Sequence, residues 1–391
     1  MNPRLSADDL RRITEIRHDL HAHPELGYNE KRTSEVVQRE LAALGIEHRG
    51  GLAGGTGVLA HIPATVENAE TVALRADMDA LPILENTGLG YQSTTPNVMH
   101  ACGHDGHTSM LLGTATVLSK LPERPFNVLL LFQPAEEGGA GGLKMCEDGV
   151  LSGKVLGKAA DRIFGLHGDP GTVVGQVSTR IGAMMASADS FTAKITGHGG
   201  HAAMPHSTID PIVISSQLIL AWQTIASRGV DPLDAVVVTV GMFHAGVAHN
   251  VIPDYVELEG TIRTLNDEAR EFALKRFLEI ADGICAAHGA KFEVEWMTGY
   301  PVTKNNAEAV SRWQTALKDF SGEVVPEPVV PVMGAEDFSF YGAHTKACFY
   351  WLGLNTSADN KYPNLHAPEF DFNDAAIPFG VEAMCRLALA S

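Results

Sequence analysis

The segment from Met99 to His107 combines several residue types that bind metal ions. One thiol, one carboxylate and three imidazole groups occur within nine residues, at Cys102, Asp105, His100, His104 and His107. A thiolate and an imidazole two residues apart are suitable ligands for Zn, Mn, Co or Ni. Asp105 could cap the helix that follows or orient a ligand imidazole. A buried, inert cysteine beside surface histidines is the alternative for this segment taken alone.

Three apolar runs that are typical of buried strands are followed by polar residues of similar chemistry. These runs, with the polar residues after them, are 72–74 with Asp77 and Asp79, 128–132 with Glu136 and Glu137, and 163–166 with His167. Ligand sites in open α/β sheets lie beyond the carboxyl ends of the strands, so the three ends are expected to face one crevice. A solvent-exposed strand end is the simpler interpretation of any one run, but it fits all three together less well.

The pair Glu136 and Glu137 could supply two different functions. Neighbouring side chains on an extended segment point in opposite directions, so one could bind a metal while the other faces a substrate. A carboxylate beside a metal can take a proton from water and pass it to a leaving amine. Two solvated glutamates at a glycine-rich turn are the alternative. A second catalytic alternative is a nucleophilic Cys102 with a histidine base, which leaves both glutamates, His167 and His366 unexplained.

The elements that must position these residues alternate between strand and helix. This alternation predicts an α/β domain with a mostly parallel sheet. Ser6 is expected to cap a first helix that stops before Pro24, and further helices are expected over 33–44 and 108–121. After the insert described next, a strand over 348–352 and a helix over 376–389 complete this domain.

A smaller α+β domain is predicted to interrupt the first one after Gly182. Its order is strand, helix, two strands, helix, strand, which is the βαββαβ arrangement. The predicted elements are 191–196, 211–228, 236–243, 256–262, 267–288 and 292–296. The expected boundaries are 1–182 and 299–391 for the discontinuous catalytic metal-binding domain and 183–298 for the inserted lid or dimerisation domain.

The composition argues against several classes of partner and location. With 29 Lys and Arg against 47 Asp and Glu in 391 residues, the net charge is −18, which disfavours nucleic acid and anionic membranes. No apolar run approaches the ~20 residues of a membrane span. The N-terminal segment lacks the apolar stretch of a signal peptide. Five cysteines do not suggest a disulfide framework, so a cytoplasmic protein is expected.

The predicted insert carries polar residues of its own. His201 lies in a glycine- and histidine-rich segment after the first strand, Asn250 joins the middle strands, and Arg263 ends one of them. Imidazole, amide and guanidinium groups are donors that suit an oxyanion and a carboxylate. Each residue alone is more simply a surface residue of a loop or turn.

Together, these motifs resemble those of the aminoacylase/carboxypeptidase family of co-catalytic metallohydrolases, especially its hippurate hydrolase and auxin-conjugate amidohydrolase branch. The resemblance extends from the segment 21–25 to the C-terminal helix. Its motifs are 75–82, 99–107, 132–139, 200–203, 249–253 and 334–338.

The resemblance implies a role for each matching residue. Cys102 would be the ligand shared by two metal ions, where most relatives use Asp, and the other ligands would be His104, Glu137, His167 and His366. The catalytic residues would be Glu136 as general base, Asp79 as the acidic residue that supports the site, and His201 as the lid histidine that stabilises the oxyanion. In some relatives that histidine acts across a dimer interface. The substrate-binding residues would be Asn250, Arg263 and Gly334. Asp169 departs from the more apolar residue expected after the histidine ligand, which could alter substrate preference.

The function implied is a metal-dependent amidohydrolase that cleaves N-acyl amino acids of the hippurate or N-acetyl type. Its cofactors would be two divalent ions of Mn, Zn, Co or Ni. The chain would bind a small-molecule substrate, bind neither nucleic acid nor membrane, and form a homodimer or homotetramer. The alternatives are a dipeptidase or carboxypeptidase, a ureido-type amidohydrolase, or a metal-binding relative without catalysis.

Overall fold

The computed structural model describes residues 3–297, 299–326, 329–356 and 361–390, which form two compact units. Unit 1 contains Met1–Gly182, Lys304–Val330 and Asp337–Ser391, and unit 2 contains Ala183–Thr303 and Pro331–Glu336. The short stretch 331–336 groups with unit 2, whereas the sequence analysis places it in the first domain. The stretch groups with unit 2 because the Ala186 N–H donates to the carbonyls of Val332 and Gly334, at 3.1 and 2.8 Å.

Eight α-helices lie within the described ranges. They are α1 (Ala7–Ala22), α2 (Lys31–Ala43), α3 (His104–Lys120), α4 (Gly141–Glu147), α5 (Pro211–Thr224), α6 (Asp267–His288), α7 (Ala307–Ala316) and α8 (Ile377–Ala390). Three 3-10 helices occupy Pro205–Ser207, Asp337–Ala343 and Asp374–Ala376, and a π-helical turn at Ile225–Gly229 follows α5. No helix among these is long and apolar enough to cross a bilayer.

Sixteen strands lie in the same part of the chain. They are β1 (Glu47–Leu52), β2 (Gly57–Ile62), β3 (Thr71–Asp77), β4 (Asn127–Gln133), β5 (Arg162–Val173), β6 (Gln176–Ser178), β7 (Gly182–Met185), β8 (Ser187–Thr196), β9 (Gly200–His201), β10 (Val236–Ala245), β11 (Val251–Ile252), β12 (Tyr255–Thr264), β13 (Lys291–Met297), β14 (Thr303–Asn305), β15 (Glu323–Val324) and β16 (Lys346–Asn355).

Unit 1 is built on an eight-stranded sheet with the order β1-β2-β4-β3-β5-β16-β6-β15. Its four central strands, β4, β3, β5 and β16, run parallel to one another, whereas β1, β2 and β6 pair antiparallel with neighbours. Strands β3 and β4 are buried at every residue because helices cover the sheet. The predicted α/β fold with a mostly parallel central sheet is therefore confirmed.

Helix α1 begins and ends as the sequence predicts. Ser6 is its N-cap, and the Ser6 hydroxyl oxygen accepts the Asp9 N–H at 3.1 Å. The helix ends at Ala22, before Pro24. It packs against α3, which also contacts α8 and strands β3, β4 and β5.

Helix α3 begins one turn earlier than predicted, at His104 instead of Thr108. Gly103 makes this start possible because its φ of 86° lies in the left-handed region. A Cβ at Gly103 would also lie 3.0 Å from the Phe372 ring. His104 and His107 consequently lie in the first turn of a buried helix.

Strand β5 is longer than predicted and does not end at Leu166. It pairs with β3 only over 162–165, but with β16 as far as Asp169 and, after a register shift, at Val173. His167 therefore lies beyond the end of the β3 pairing while β16 still supports it on the other side.

Unit 2 has a four-stranded antiparallel sheet with the order β10-β12-β8-β13. Helices α5 and α6 pack on each other and on this sheet. Phe191, Trp222 and Phe277 form the centre of a separate hydrophobic core, and the rings of Trp222 and Phe277 stack at 4.0 Å. The order β8-α5-β10-β12-α6-β13 is the βαββαβ arrangement.

Candidate metal centre

Parallel strands of unit 1 bring the polar residues to one edge of the sheet. Strand β3 ends at Asp77 and β4 at Gln133, and these two residues are partners in the parallel register. His167 lies on the neighbouring strand β5, beyond the residues of β5 that pair with β3. The 134–142 turn, which follows β4 and leads into α4, carries Glu136 and Glu137 at this edge.

A first group of candidate ligands consists of Cys102, His104 and His167, whose ligand atoms all lie within 4.8 Å of one another. The three residues are buried, and Cys102 Sγ lies 3.3 Å from His167 Nε2. His104 Nδ1 contacts the carbonyl oxygen and Oδ1 of Asp79, at 2.9 and 3.2 Å. His104 Nε2 is buried and makes no hydrogen bond to any residue that the structure describes.

A second group consists of Cys102, Glu137 and His366, again with ligand atoms within 4.8 Å of one another. His366 Nε2 lies 3.1 Å from Glu137 Oε1. The backbone of His366 is fixed by its N–H, which donates to the Ala101 carbonyl at 2.8 Å, and its φ is 65°. Cys102 thus belongs to both groups.

The prediction that Glu136 and Glu137 point in opposite directions is wrong. One carboxylate oxygen of each lies within 4.8 Å of the other and of a His104 nitrogen. The segment is a turn instead of an extended strand, with positive φ values of 51° at Ala135 and 81° at Gly138. Both carboxylates consequently face the same centre.

The 134–142 turn is held by contacts from two other segments. The Glu137 N–H donates to Asp79 Oδ2 at 2.9 Å, and the Asp337 N–H donates to Glu136 Oε1 at 3.3 Å. The Gly142 N–H donates to Asp337 Oδ2 at 2.7 Å. Asp79 therefore contacts both His104 and Glu137, and its supporting role stays a prediction.

His107 is not a free metal donor, although its ring lies beside the centre. Its Nδ1 lies 2.6 Å from Asp77 Oδ1, and its Nε2 accepts the Gly168 N–H at 3.0 Å. This pair of contacts requires the neutral tautomer with the proton on Nδ1, and burial lowers the pKa of His107 to about 4. His107 instead connects β3 with β5.

Asp105 has neither of the two functions considered for it. The N-cap of α3 is Gly103, without a side-chain capping bond. Asp105 is buried and accepts from Arg17 Nε at 2.8 Å and contacts His21 Nδ1 at 2.9 Å. The residue connects α3 to α1 and orients none of the candidate ligands.

The electrostatics of the centre favour a cation. Burial and the carboxylates of Glu137 and Glu136 raise the pKa of the Cys102 thiol well above its usual range. Burial alone would lower the pKa of His104, but Asp77 and Asp79 outweigh this effect and raise it to about 10. Without a metal ion, the centre therefore retains protons that a divalent cation would replace.

The donor set fits a metal ion by its chemistry and by its unsatisfied atoms. Thiolate, imidazole and carboxylate groups converge, and the buried His104 Nε2 has no hydrogen-bond partner among the described residues. Such ligands suit Zn, Co, Ni or Mn. The roles of Cys102, His104, Glu137, His167 and His366 as ligands, and of Glu136 as base, stay predictions.

The predicted residues of the insert all lie in unit 2. His201 is exposed on β9 opposite Val251, and the Asn250 carbonyl accepts the Ala202 N–H at 3.1 Å. Arg263 is half-buried on β12, where its Nε donates to Thr261 Oγ1 at 3.0 Å. His201 and Asn250 are therefore close together within unit 2.

Gly334, the last of the predicted substrate-binding residues, also lies in unit 2. Its carbonyl oxygen accepts the Ala186 N–H at 2.8 Å. Its role in substrate binding stays a prediction, as do those of His201, Asn250 and Arg263.

The sequence did not predict three buried residues around the centre as site residues: Arg75, Asp337 and Glu30. Arg75 donates to Gln133 Oε1, Asp77 Oδ2 and Asp337 Oδ1, at 2.8, 2.6 and 2.9 Å. Glu30 accepts the Ala135 N–H at 2.8 Å. The motifs 75–82 and 334–338 contain Arg75 and Asp337, but only the fold shows that they meet. No sequence signal singles out Glu30.

The chain is similar to known proteins over most of its length. The family described as peptidase family M20/M25/M40 matches residues 73–390. A thermostable carboxypeptidase 1 from Saccharolobus solfataricus is 40% identical, with 96% of this chain and 94% of that protein covered. An N-acetyl-L-cysteine deacetylase from Bacillus subtilis is 41% identical, with 93% and 84% covered.

Two further similarities bear on substrate and cofactor. An IAA-amino acid hydrolase ILR1-like 5 from Arabidopsis thaliana is 39% identical, with 95% of this chain and 85% of that protein covered. A crystal structure of a Bacillus subtilis protein, described as a dinuclear metal binding peptidase, superimposes with a TM-score of 0.83 and 34% identity, covering 98% of both chains.

Proposed function

Because the chain belongs to peptidase family M20/M25/M40 and is a metal-dependent hydrolase of amide bonds, we propose that it releases the amino acid from an N-acyl amino acid. The acyl group would be of the hippurate or N-acetyl type. The observation that carries the proposal is the convergence of Glu136 with two groups of ligands that share Cys102. Two ligand groups with one shared residue suit two divalent ions, as in the dinuclear relative.

Similarity to an N-acetyl-L-cysteine deacetylase and to an IAA-amino acid hydrolase supports this substrate class. Both names describe the cleavage of an acyl group from an amino acid. The similar carboxypeptidase favours the second candidate, a peptidase that releases a C-terminal amino acid. The two reactions break the same kind of bond next to a free carboxylate. Their substrates therefore differ only in the acyl group.

The chemistry requires an attacking water, a polarised carbonyl and a protonated leaving amine. Divalent cations bound at the centre would polarise the carbonyl and acidify the water. The Glu136 carboxylate takes the proton from the water as the new C–O bond forms, and it gives that proton to the nitrogen as the C–N bond breaks. The Asp337 N–H contact at 3.3 Å and the burial of Glu136 hold this carboxylate in place.

Four residues of unit 2 have proposed roles in the reaction. We assign oxyanion stabilisation to His201 and recognition of the substrate to Asn250, Arg263 and Gly334. Arg263 suits the carboxylate of an amino acid because a guanidinium forms paired hydrogen bonds with it. We also place the enzyme in the cytoplasm, because its five cysteines are all free.

The first experiment measures amino-acid release from a panel of N-acyl amino acids, with hippurate, dipeptides and ureido compounds included. The protein is stripped with a chelator and assayed with and without added Mn, Zn or Co. We expect release from N-acyl amino acids only after metal is restored. Preferential cleavage of dipeptides would favour the peptidase, and metal-loaded, folded protein without any activity would contradict the proposal. Activity that survives chelation but not thiol alkylation would favour a cysteine nucleophile.

Glu136→Gln tests the assigned base. The amide cannot accept the proton from water, so we expect kcat to fall by at least about 1,000-fold, within the range by which a lost general base slows a reaction. Metal content, measured by elemental analysis, should stay that of the unmodified protein. Normal turnover in this variant would remove Glu136 from its role.

A further inference from the structure

The residue before Glu136 adopts an unfavourable backbone conformation. Ala135 has a φ of 51°, in the left-handed region that a side chain with a Cβ disfavours. The residue is also buried, so its N–H needs a partner within the protein. A conformation of this kind persists only where surrounding contacts hold it.

The partner of the Ala135 N–H is Glu30, far away in sequence. Glu30 is fully buried, and its Oε1 accepts the Ala135 N–H at 2.8 Å while its Oε2 accepts the Thr56 hydroxyl at 2.8 Å. Both carboxylate oxygens are therefore used. A buried carboxylate is costly unless it is bound in this way, so the pair of contacts explains how Glu30 is accommodated.

The chain just before Glu30 packs directly against the same turn. A Cβ at Gly27 would lie 3.1 Å from the Cα and Cβ of Ala135, and the Tyr28 hydroxyl donates to the Gly139 carbonyl. The segment 27–30 therefore contacts the 134–142 turn at Ala135 and at Gly139. The proposed mechanism assigns no role to this segment.

We propose that Glu30 is a positioning residue for the reaction: by holding the Ala135 N–H, it fixes the turn that aims the Glu136 carboxylate at the metal centre. This inference rests on the proposed function, in which Glu136 moves the proton. The hydrogen bonds of the Glu30 carboxylate go to Ala135 and Thr56, neither of which is a candidate ligand. Its effect passes through one backbone hydrogen bond, so losing an acceptor at this point should matter more than losing the charge.

Glu25 offers a matched control in the same segment. Its carboxylate accepts the N–H groups of Arg32 and Thr33, at 3.1 and 2.8 Å, and the Thr33 hydroxyl at 3.0 Å. These contacts are at the beginning of α2 and do not reach the 134–142 turn. Removing Glu25 therefore tests the loss of a partly buried, well-bound carboxylate without changing the support of Ala135.

The experiment compares Glu30→Ala, Glu30→Gln and Glu25→Ala in metal-loaded protein, with an N-acyl amino acid that the unmodified enzyme hydrolyses. We expect Glu30→Ala to lower kcat by about 10- to 100-fold, because a small misplacement of a catalytic group has this effect. KM should stay within about twofold, because substrate binding is untouched. Glu30→Gln keeps an oxygen acceptor and should retain kcat within about threefold of the unmodified value. Glu25→Ala should lower the melting temperature with kcat unchanged.

Hydrogen exchange gives a readout that is independent of activity. Amides of the peptide that spans 134–142 should exchange faster in Glu30→Ala but not in Glu25→Ala or Glu30→Gln. Metal content should be equal in all variants. If Glu30→Ala does not fold, Glu30→Asp replaces it, because the shorter side chain keeps the charge but withdraws the acceptor, and it should then lower kcat in the same way.

Four outcomes would overturn the inference. The first is an unchanged kcat in Glu30→Ala, or in Glu30→Asp if that variant replaces it. The second and third are a loss of kcat in Glu25→Ala, or in Glu30→Gln, as large as the loss in Glu30→Ala. The fourth is unchanged hydrogen exchange of the 134–142 peptide. An unmodified enzyme that hydrolyses no N-acyl amino acid contradicts the proposed function instead, and the exchange experiment then still tests whether Glu30 holds the turn.

Discussion

At the scale of single residues, the sulfur atom of Cys102 links the two groups of candidate metal ligands. It is the one atom that belongs to both groups of candidate ligands within the described residues. A thiolate is a softer donor than a carboxylate, so it favours Zn, Co or Ni over harder ions. Because the thiol is buried, it is not expected to react as an exposed nucleophile.

Replacing Cys102 with serine should therefore remove metal from the protein. A neutral hydroxyl is a much weaker ligand than a thiolate, and both groups of ligands lose their common member. We expect affinity to fall by at least about 100-fold, because even the loss of a supporting contact lowers metal affinity by 10–100-fold. The measurement is metal content after dialysis. Cys146→Ser, at a half-buried thiol outside both groups, should keep its metal, and full occupancy in Cys102→Ser would rule out the shared ligand.

The sequence could predict donors but not the residues that support them. Cys102 and His104 are close in the chain, and the strand ends at Asp77 and Gln133 meet because parallel strands share an edge. Glu30 could not be found in this way, because its partner lies 105 residues away and the contact exists only after folding. The same holds for Arg75 and Asp337, which are 262 residues apart.

At the scale of elements, a buried ion network connects α1 with α3. His21 on α1 is fully buried, with Nδ1 2.9 Å from Asp105 on α3 and Nε2 3.2 Å from Glu85. Arg17 Nη2 lies 3.3 Å from His21 Nδ1, while Arg17 also donates to Asp105. The helix that begins with His104 is thus fixed to the N-terminal helix by charge as well as by packing.

This network predicts a pH-dependent contribution to stability. Burial alone would lower the pKa of His21, but Asp105 and Glu85 outweigh burial and Arg17 and raise it from 6.5 to about 9. A group whose pKa is raised by folding stabilises the folded protein, and its contribution is complete below the pKa of the unfolded state. The contribution is lost as the pH rises through the pKa of the folded state. The contribution is therefore complete below about pH 6.5 and lost above about pH 9, with a size of about 3 kcal/mol.

The test compares the unmodified protein with His21→Gln by urea unfolding. The difference in the free energy of unfolding should be largest at pH 6 and smaller by about 3 kcal/mol at pH 10. His23→Gln, on a partly exposed neighbour, controls for removal of a histidine from this segment. A difference between His21→Gln and the unmodified protein that does not change with pH would show that folding does not raise the pKa of His21.

The elements themselves were largely predictable, and the exceptions have local causes. Capping by Ser6, the helical spacing of α6 and the apolar runs of β3 and β4 are local signals, and the helix over 267–288 has the predicted bounds. The start of α3 was missed because it depends on the left-handed Gly103. The length of β5 was missed because β16, far along the chain, extends it. The predicted helix over 211–228 is α-helical only to Thr224 and ends in a π-helical turn.

At the scale of the whole molecule, unit 2 presents an open sheet edge. Strand β10 pairs with β12 on one side and is the outermost strand in the described part of the sheet. Val237, Met242 and Phe243 on this strand are exposed by 37, 44 and 39%. Free backbone groups combined with exposed apolar side chains favour pairing with another strand. We propose that two copies of the chain associate through β10.

Light scattering should then give a mass of about twice 41.8 kDa. The double substitution Met242→Lys and Phe243→Lys places two charges on the edge, so we expect it to shift the protein to the monomer. Leu84→Lys, at a more exposed apolar residue of unit 1, should leave the mass unchanged. A monomeric unmodified protein would exclude the dimer, and an undisturbed double variant would exclude this edge.

Because the five predicted metal ligands lie in unit 1, metal should stabilise the two units unequally. An ion that binds only the folded state adds RT ln(1 + [L]/Kd), about 2.7 kcal/mol at 100 times Kd. Amides of α3 that exchange only when unit 1 unfolds should then slow by about 100-fold on metal addition. The core of unit 2 around Trp222 and Phe277 is separate, so amides of α5 and α6 should change little. Hydrogen exchange reports on both regions in each sample of chelated and of Zn-loaded protein, and Cys102→Ser is the control in which α3 should not respond. Equal slowing in both regions would mean that the units unfold as one, whereas slowing confined to α5 and α6 would contradict the metal centre in unit 1.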